Sequence, residues 1–298
     1  MDKLFVLRVL ASATYDLAYS GAWGILLAAK WLAYKSPWEV KLYRILRVFV
    51  VLLACILFAQ AWLLTATMSG ESDFTAVCGM IRQTIFETSP GRILGMQFLV
   101  AVVIALGLFF KRSLTGSAVW LQLGLFAFLA ALRSASGHAA SYGNFTVQEL
   151  VQWVHLGATA AWSGSVFISG LVVSTDSERV LNSFSIRAYG IKLSQTATLA
   201  VACVGLTGIY NAYLGLGKSI VPLTHTQWGY TLIAKSTLVM SALALGSRNR
   251  YLLSRSEADW DAATESGFVR SLRIESVVMI LILIVSAWLA NSPPANEM

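Results

Sequence analysis

The sequence predicts an all-α, polytopic membrane protein built as a bundle of eight transmembrane helices. Three observations carry this. Of 298 residues, 57% are apolar and 12% are charged, about half the charged share of an ordinary soluble domain; the mean hydropathy is +0.67. Apolar stretches of membrane-spanning length recur along the chain, and they are continuous, which selects helices over the alternating strands of a barrel. Finally, the basic residues fall unevenly between successive connections, as the positive-inside rule leads one to expect of a multi-pass protein.

A span needs roughly 17–25 mostly apolar residues, and eight windows qualify. The first, 5–33, carries Asp16 near its middle; the second and third, 43–68 and 92–110, hold Gln60 and Gln97. The fourth, 116–133, is the weakest, with Gln122 inside it and Arg133 at its end. The fifth, 148–173, carries His155, and the sixth, 190–214, carries Cys203. The seventh, 228–247, contains Lys235, and the eighth, 271–290, has Glu275 near its start and is stopped by Pro293-Pro294. With no fixed-period repeat and no low-complexity segment, residues 1–298 form a single transmembrane domain on this reading.

Fifteen Lys and Arg lie on one side of these spans, within 30–47, 111–112, 179–192 and 248–273. Six lie on the other: Lys3, Arg8, Arg82, Arg92, Arg133 and Lys218. The richer side is expected to be cytoplasmic, with both termini outside, which agrees with an even number of spans. The longest outer connection is then 69–91. The longest inner one is 248–270, a mixed-charge connector able to form a short surface helix. This distribution accounts for the net charge of +7 without nucleic acid, because the basic residues form no patch with interleaved aromatics.

Several function classes drop out. Cys55, Cys78 and Cys203 are too few and too scattered for a disulfide framework or a CxxC site, and two of them sit in apolar runs. The N-terminus shows no signal-peptide pattern. Neither HExxH nor GxSxG occurs, which argues against intramembrane proteolysis; no enzyme is expected.

Ionisable groups inside a membrane helix are expensive and mark function by default. Asp16, His155 and Lys235 lie deepest, about 16, 10 and 10 Å from the outer ends, with Gln60 and Gln97 at about 12 and 8 Å. All belong to the outer half, so an outward-facing polar pocket is the simplest arrangement. Gln152, His155, Thr159, Trp162 and Ser169 recur at helical spacing and put one polar stripe on the fifth span. Ser12, Asp16, Ser20 and Trp23 form a similar stripe on the first, and Thr231 with Lys235 a short one on the seventh. Such stripes face helices or water, not lipid. Asp16 and Lys235 stay open to two readings, a structural ion pair that fixes bundle register or charges that serve a moving ion.

All three histidines, His138, His155 and His225, lie on the outer side, as do Met68, Met80 and Met96 and the Cys78-Gly79-Met80 sequence. Imidazole with thioether or thiolate suits copper better than magnesium or calcium, and the soft donors favour Cu(I) over Cu(II). Each histidine alone could equally be a helix-packing or interfacial residue.

Short motifs in order then resemble the copper resistance D (CopD) family of bacterial inner-membrane proteins. They are Gly137-His138-Ala139-Ala140, then Val154-His155-Leu156 with Ala161-Trp162-Ser163-Gly164, and Phe184-Ser185. Thr207-Gly208-Ile209-Tyr210-Asn211-Ala212 and Gln227-Trp228-Gly229-Tyr230 through Lys235 follow. Ala244-Leu245-Gly246-Ser247-Arg248-Asn249-Arg250 and Arg270-Ser271 with Glu275 complete the order, and Met68-Ser69-Gly70 adds an earlier match. Ser163 replaces a usual glycine, and Trp228 a usual tyrosine. The similarity is greatest over 130–290.

The resemblance implies an eight-helix protein of the bacterial inner membrane, both termini periplasmic, that handles copper, often alongside a separate periplasmic copper chaperone. The expected function is copper transport, with uptake from periplasm to cytoplasm. His155 and His138 would be the leading ligands, with Met68, Met80, Met96, Cys78 and His225 as further donors. Asp16, Lys235, Gln60, Gln97, Gln152 and Trp162 would line or charge the route. The alternative is a membrane redox protein holding haem through transmembrane histidines. A third class is a non-transporting sensor or assembly partner.

Overall fold

The computed structural model describes residues 3–31, 37–110, 117–137, 143, 145–170, 186–217, 219–256 and 259–295. Among these are nine α-helices: α1 (Lys3–Trp31), α2 (Pro37–Ser69), α3 (Phe74–Glu87), α4 (Ser89–Phe110), α5 (Ser117–Ser134), α6 (Val147–Ile168), α7 (Ile186–Gly215), α8 (Gln227–Leu253) and α9 (Ala262–Asn291). A 3-10 turn, Val221–Thr224, precedes α8.

Local chemistry sets the helix ends. Asp73 caps α3 by accepting the Ala76 N–H at 2.9 Å, and Asp261 caps α9 by accepting the Thr264 N–H at 2.7 Å. Bonds from Thr264 also hold the exposed Asp261 carboxyl below the usual carboxylate range. Thr146 and Thr226 cap α6 and α8 in the same manner. Gly70 (φ 73°) and Gly217 (φ 66°) follow α2 and α7 in the left-handed conformation that closes helices.

Each predicted window falls on one long helix, and the long helices alternate in direction. At one end of the bundle Asn291 at the close of α9 donates to Ser12 near the start of α1 at 3.0 Å, and Ser134 ending α5 donates to the Glu149 carbonyl opening α6 at 2.7 Å. At the other end Arg47 early in α2 donates to the Leu108 carbonyl late in α4 at 3.0 Å. Arg187 opening α7 reaches the Leu253 carbonyl closing α8 at 3.4 Å.

Six of these helices, α2, α4, α5, α7, α8 and α9, are long and apolar enough to cross a membrane. The other two, α1 with 29 residues and α6 with 22, reach about 44 and 33 Å, also enough, but their apolar stretches are interrupted, by Arg8 and Asp16 in α1 and by Gln152 and His155 in α6. Their position explains the difference. Helix α1 packs against α2, α5, α6 and α9, and α6 against α1, α5, α7 and α9. Central helices face protein, so they can carry polar side chains that a lipid-facing helix cannot. The peripheral helices show the opposite face: Leu199, Leu206 and Ile209 of α7 are 71–75% exposed, a coat suited to lipid.

Helices α1 and α6 touch backbone to backbone. A Cβ on Gly24 would overlap the Gly164 carbonyl, and one on Gly164 would overlap the Ser20 carbonyl. Small residues here replace the hydrophobic drive that lipid removes. Tyr19 adds a bond to the Phe126 carbonyl of α5 at 2.8 Å, and Ser276 of α9 one to the Val166 carbonyl of α6 at 2.9 Å.

Two connections differ from expectation. Residues 69–91 contain α3, on which Val77 and Thr84 are buried while most other side chains are exposed. The 248–270 connection shrinks to the segment after Leu253 and before Ala262, because α8 and α9 run on beyond their apolar windows. Helix length follows capping and hydrogen bonding, whereas a hydropathy window sees only the lipid-facing stretch.

Candidate functional site

The polar stripe of α6 meets a matching stripe on α7. Gln152 Oε1 accepts from Asn211 Nδ2 at 2.8 Å, His155 Nδ1 lies 2.9 Å from Thr207 Oγ1, and Ser169 Oγ lies 2.6 Å from the Tyr189 hydroxyl. These rungs run antiparallel, so spacing on both helices is satisfied at once. Thr207 decides the state of His155. Its hydroxyl donates to the Cys203 carbonyl at 2.6 Å, so toward His155 it can only accept. Nδ1 therefore carries the imidazole proton, and Nε2 keeps a bare lone pair with no hydrogen-bond partner among the described residues. Gly208 leaves room beside the ring: a Cβ there would stand 3.5 Å from His155 Cε1.

A second polar group forms between α1, α2 and α5. Asp16 Oδ1 lies 3.9 Å from Arg133 Nη2, both side chains about a quarter exposed. Arg133 also donates to Gln60 Oε1 at 3.3 Å and sits over the Tyr15 ring at 4.4 Å. Of the two readings open for Asp16 and Lys235, an ion pair between them is not seen among the described residues; Asp16 pairs with Arg133, because α1 packs directly on α5. Gln97 is 1% exposed, with Nε2 3.5 Å from Ser136 Oγ and Oε1 unpaired. Gln60, Gln97 and Arg133 line one cavity of about 310 Å³ near the end of the bundle where α1 begins. Trp162 is buried at the inner part of α6.

The soft donors are spread out. Met68 at the end of α2 is 54% exposed and Met96 on α4 is 46% exposed. On α3, Cys78 is exposed and Met80 half-buried. His225 is exposed, with Nδ1 2.9 Å from the Val221 carbonyl. His138 lies outside the described residues. Among the described residues no three His, Cys, Asp or Glu side chains gather as a metal site. Of the described histidines, only His155 lies within a helix; the haem alternative requires a second one facing it.

Two residues outside the sequence-derived set stand out. Arg133 holds Asp16 and Gln60 together, and its signal was an arginine ending a span that also carries Gln122. Glu275 is 3% exposed on α9 and accepts from Asn249 Nδ2 of α8 at 2.8 Å; a buried acid within a span was its signal.

Long apolar helices around two central ones that carry Asp16 and His155 define a polytopic membrane protein with an ionisable interior. The chain belongs to the copper resistance D family. The family profile described as copper resistance protein D matches residues 187–289, and that described as the copper resistance protein D-like N-terminal domain matches 1–146. Among relatives, the chain is 28% identical to "Copper transport protein CutJ" of Bacillus subtilis over 74% of this chain and 40% of that protein. It therefore spans well under half of that longer relative. It is 22% identical to "Copper resistance protein D" of Pseudomonas syringae pv. tomato over 79% of this chain and 78% of that one. It is 28% identical to "Inner membrane protein YebZ" of Escherichia coli over 72% of each chain. No solved structure matches.

Proposed function

We propose that this protein carries copper across the bacterial inner membrane, in the direction of uptake from periplasm to cytoplasm. It does so as a bundle of eight spans, α1, α2 and α4 to α9, with both termini periplasmic. The observation that carries the reading is the bare Nε2 of His155, fixed by the Thr207 and Cys203 relay. A metal-binding imidazole normally donates its other N–H to an oxygen, and that support is already in place. Family membership and the names of two relatives support copper as the cargo.

On this reading His155, with His138, forms the ligand pair, and Met68, Met80, Met96, Cys78 and His225 hand copper inward from the outer face. Soft donors favour Cu(I). Asp16 offsets cationic charge, a task it shares with holding Arg133. Gln152 keeps α6 and α7 in register beside the imidazole, and Lys235 opposes a cation that advances past His155. Gln60 and Gln97 shape the outer cavity, and Trp162 closes the route beneath. A separate periplasmic copper chaperone delivers the ion.

The test is copper content and flux. His155→Ala should lose bound Cu(I) and copper uptake into proteoliposomes while the protein stays folded at normal abundance. Wild-type copper stoichiometry and affinity in that variant would overturn the ligand assignment. Copper accumulating in the opposite direction would overturn uptake.

A further inference from the structure

The outer cavity has the wrong charge for copper. Arg8 of α1 and Arg133 of α5 both line it, and two guanidiniums repel a cation strongly where water is partly excluded. Arg133 is offset by Asp16 at 3.9 Å. Arg8 is not offset by any ion pair among the described residues, and its Nε is buried without a hydrogen-bond partner. Among the described residues the cavity therefore carries one uncompensated positive charge.

Its free hydrogen-bonding atoms agree in sign. Gln60 turns its amide oxygen to Arg133 at 3.3 Å, which fixes the flip and leaves Nε2 as a second buried donor without a partner. Gln97 Oε1 is the bare acceptor among these groups, since its Nε2 faces Ser136 at 3.5 Å. The Arg8 guanidinium, which lines the cavity with no carboxylate beside it among the described residues, calls for an oxygen anion. Arg8 Nε and Gln60 Nε2 are shielded from the cavity and add to such a site only through a small side-chain shift.

Size and position narrow the class. About 310 Å³ is room for roughly ten waters at their liquid volume, far more than a bare ion needs. Leu63, Leu64 and Leu94 supply an apolar wall, and the cavity lies at the end of the bundle, at headgroup depth for a spanning protein. One net positive charge matches the single negative charge of a phosphodiester.

We propose that the cavity lined by Arg8, Gln60, Gln97 and Arg133 binds a phosphate-type oxyanion, taken from a phospholipid headgroup or from free phosphate. Such a site explains why arginines sit on the side of the bundle that is otherwise poor in basic residues. It shares Gln60 and Gln97 with the copper reading, but its test measures phosphate and lipid binding and stands or falls without copper.

The experiment measures binding to the whole purified protein in neutral detergent by calorimetry and native mass spectrometry. The probes are dioctanoyl phosphatidylglycerol, inorganic phosphate, and dioctanoylglycerol, which lacks the phosphate. Binding of the phospholipid but not of dioctanoylglycerol, weakened about tenfold or more by Arg8→Gln, supports the site and assigns it to a headgroup. Binding of inorganic phosphate with the same loss in Arg8→Gln assigns it to the free ion. Should Arg8→Gln fail to fold, Gln60→Leu takes its place, with the same loss expected. Equal binding of dioctanoylglycerol, no binding of either phosphate probe, or unchanged binding in a folded variant would each overturn the proposal.

Discussion

At the scale of the residue, the state of His155 is set by an atom it does not touch. The Cys203 carbonyl takes the Thr207 proton, Thr207 then accepts from Nδ1, and Nε2 is left bare. Removing the middle member should release the ring while sparing the bundle, because valine keeps the shape of threonine. Thr207→Val is expected to weaken Cu(I) affinity by about 10–100-fold, the range typical of losing a ligand's supporting bond, with little change in thermal stability. Titration with a Cu(I)-chelating indicator measures it, and unchanged affinity would mean the relay is only structural. The spacing of Gln152, His155 and Thr159 made the face of His155 legible in the sequence. Its partners were not, because spacing within one helix says nothing about which helix lies opposite. The same limit left Asp16 open: Lys235 and Arg133 are both cations near the right depth, and only packing chooses Arg133.

At the scale of the element, the decisive contact is α1 on α6. Gly164 lies so close to the Ser20 carbonyl that any side chain must push the helices apart. Overpacking of this kind typically costs about 1–3 kcal/mol, and in lipid no hydrophobic gain between helices offsets it. Gly164→Val is therefore expected to lower the thermal midpoint and to weaken copper binding together, since α6 also carries His155; detergent-solubilised unfolding measures the first. Gly157, about two turns nearer the outer end, is open by contrast: a Cβ there would meet nothing within 4 Å. Gly157→Ala should leave stability within a few tenths of a kcal/mol of wild type, or raise it. The long helices were visible in the sequence because each keeps a lipid-facing apolar stretch. Helix α3 was not: its 14 residues include few buried side chains, and neither length nor hydropathy distinguishes such a helix from a connection.

At the scale of the whole molecule, the alternation of helix direction divides the connections into two faces, and the positive-inside rule predicts which face is cytoplasmic. Ser12, Ser134, Asn291 and α3 share one face; Arg47, Arg187, Leu253 and Ser256 share the other. Of the described basic residues, eleven lie toward the second face and five toward the first. Part of the charge on the richer face is tied down, with Arg47 and Arg187 binding carbonyls at helix ends, yet positive charge resists translocation whether or not it later finds a partner, so the richer face is expected to be cytoplasmic. The expected count of eight spans includes α1 and α6, whose apolar windows are interrupted by Asp16 and His155 and which pack inside the bundle. Both faces carry a ready probe. Cys78 is exposed on α3, and Ser256 is exposed in the segment between α8 and α9. In a chain retaining Cys78 as its only cysteine, a membrane-impermeant maleimide should label intact spheroplasts. With Ser256→Cys as the only cysteine, label should appear only after the membrane is permeabilised. Helices α4 to α8 lie between the two positions, so the loss of α6 as a span would leave an even number and put both probes on one side, labelled alike. A reversed bundle would exchange the two results.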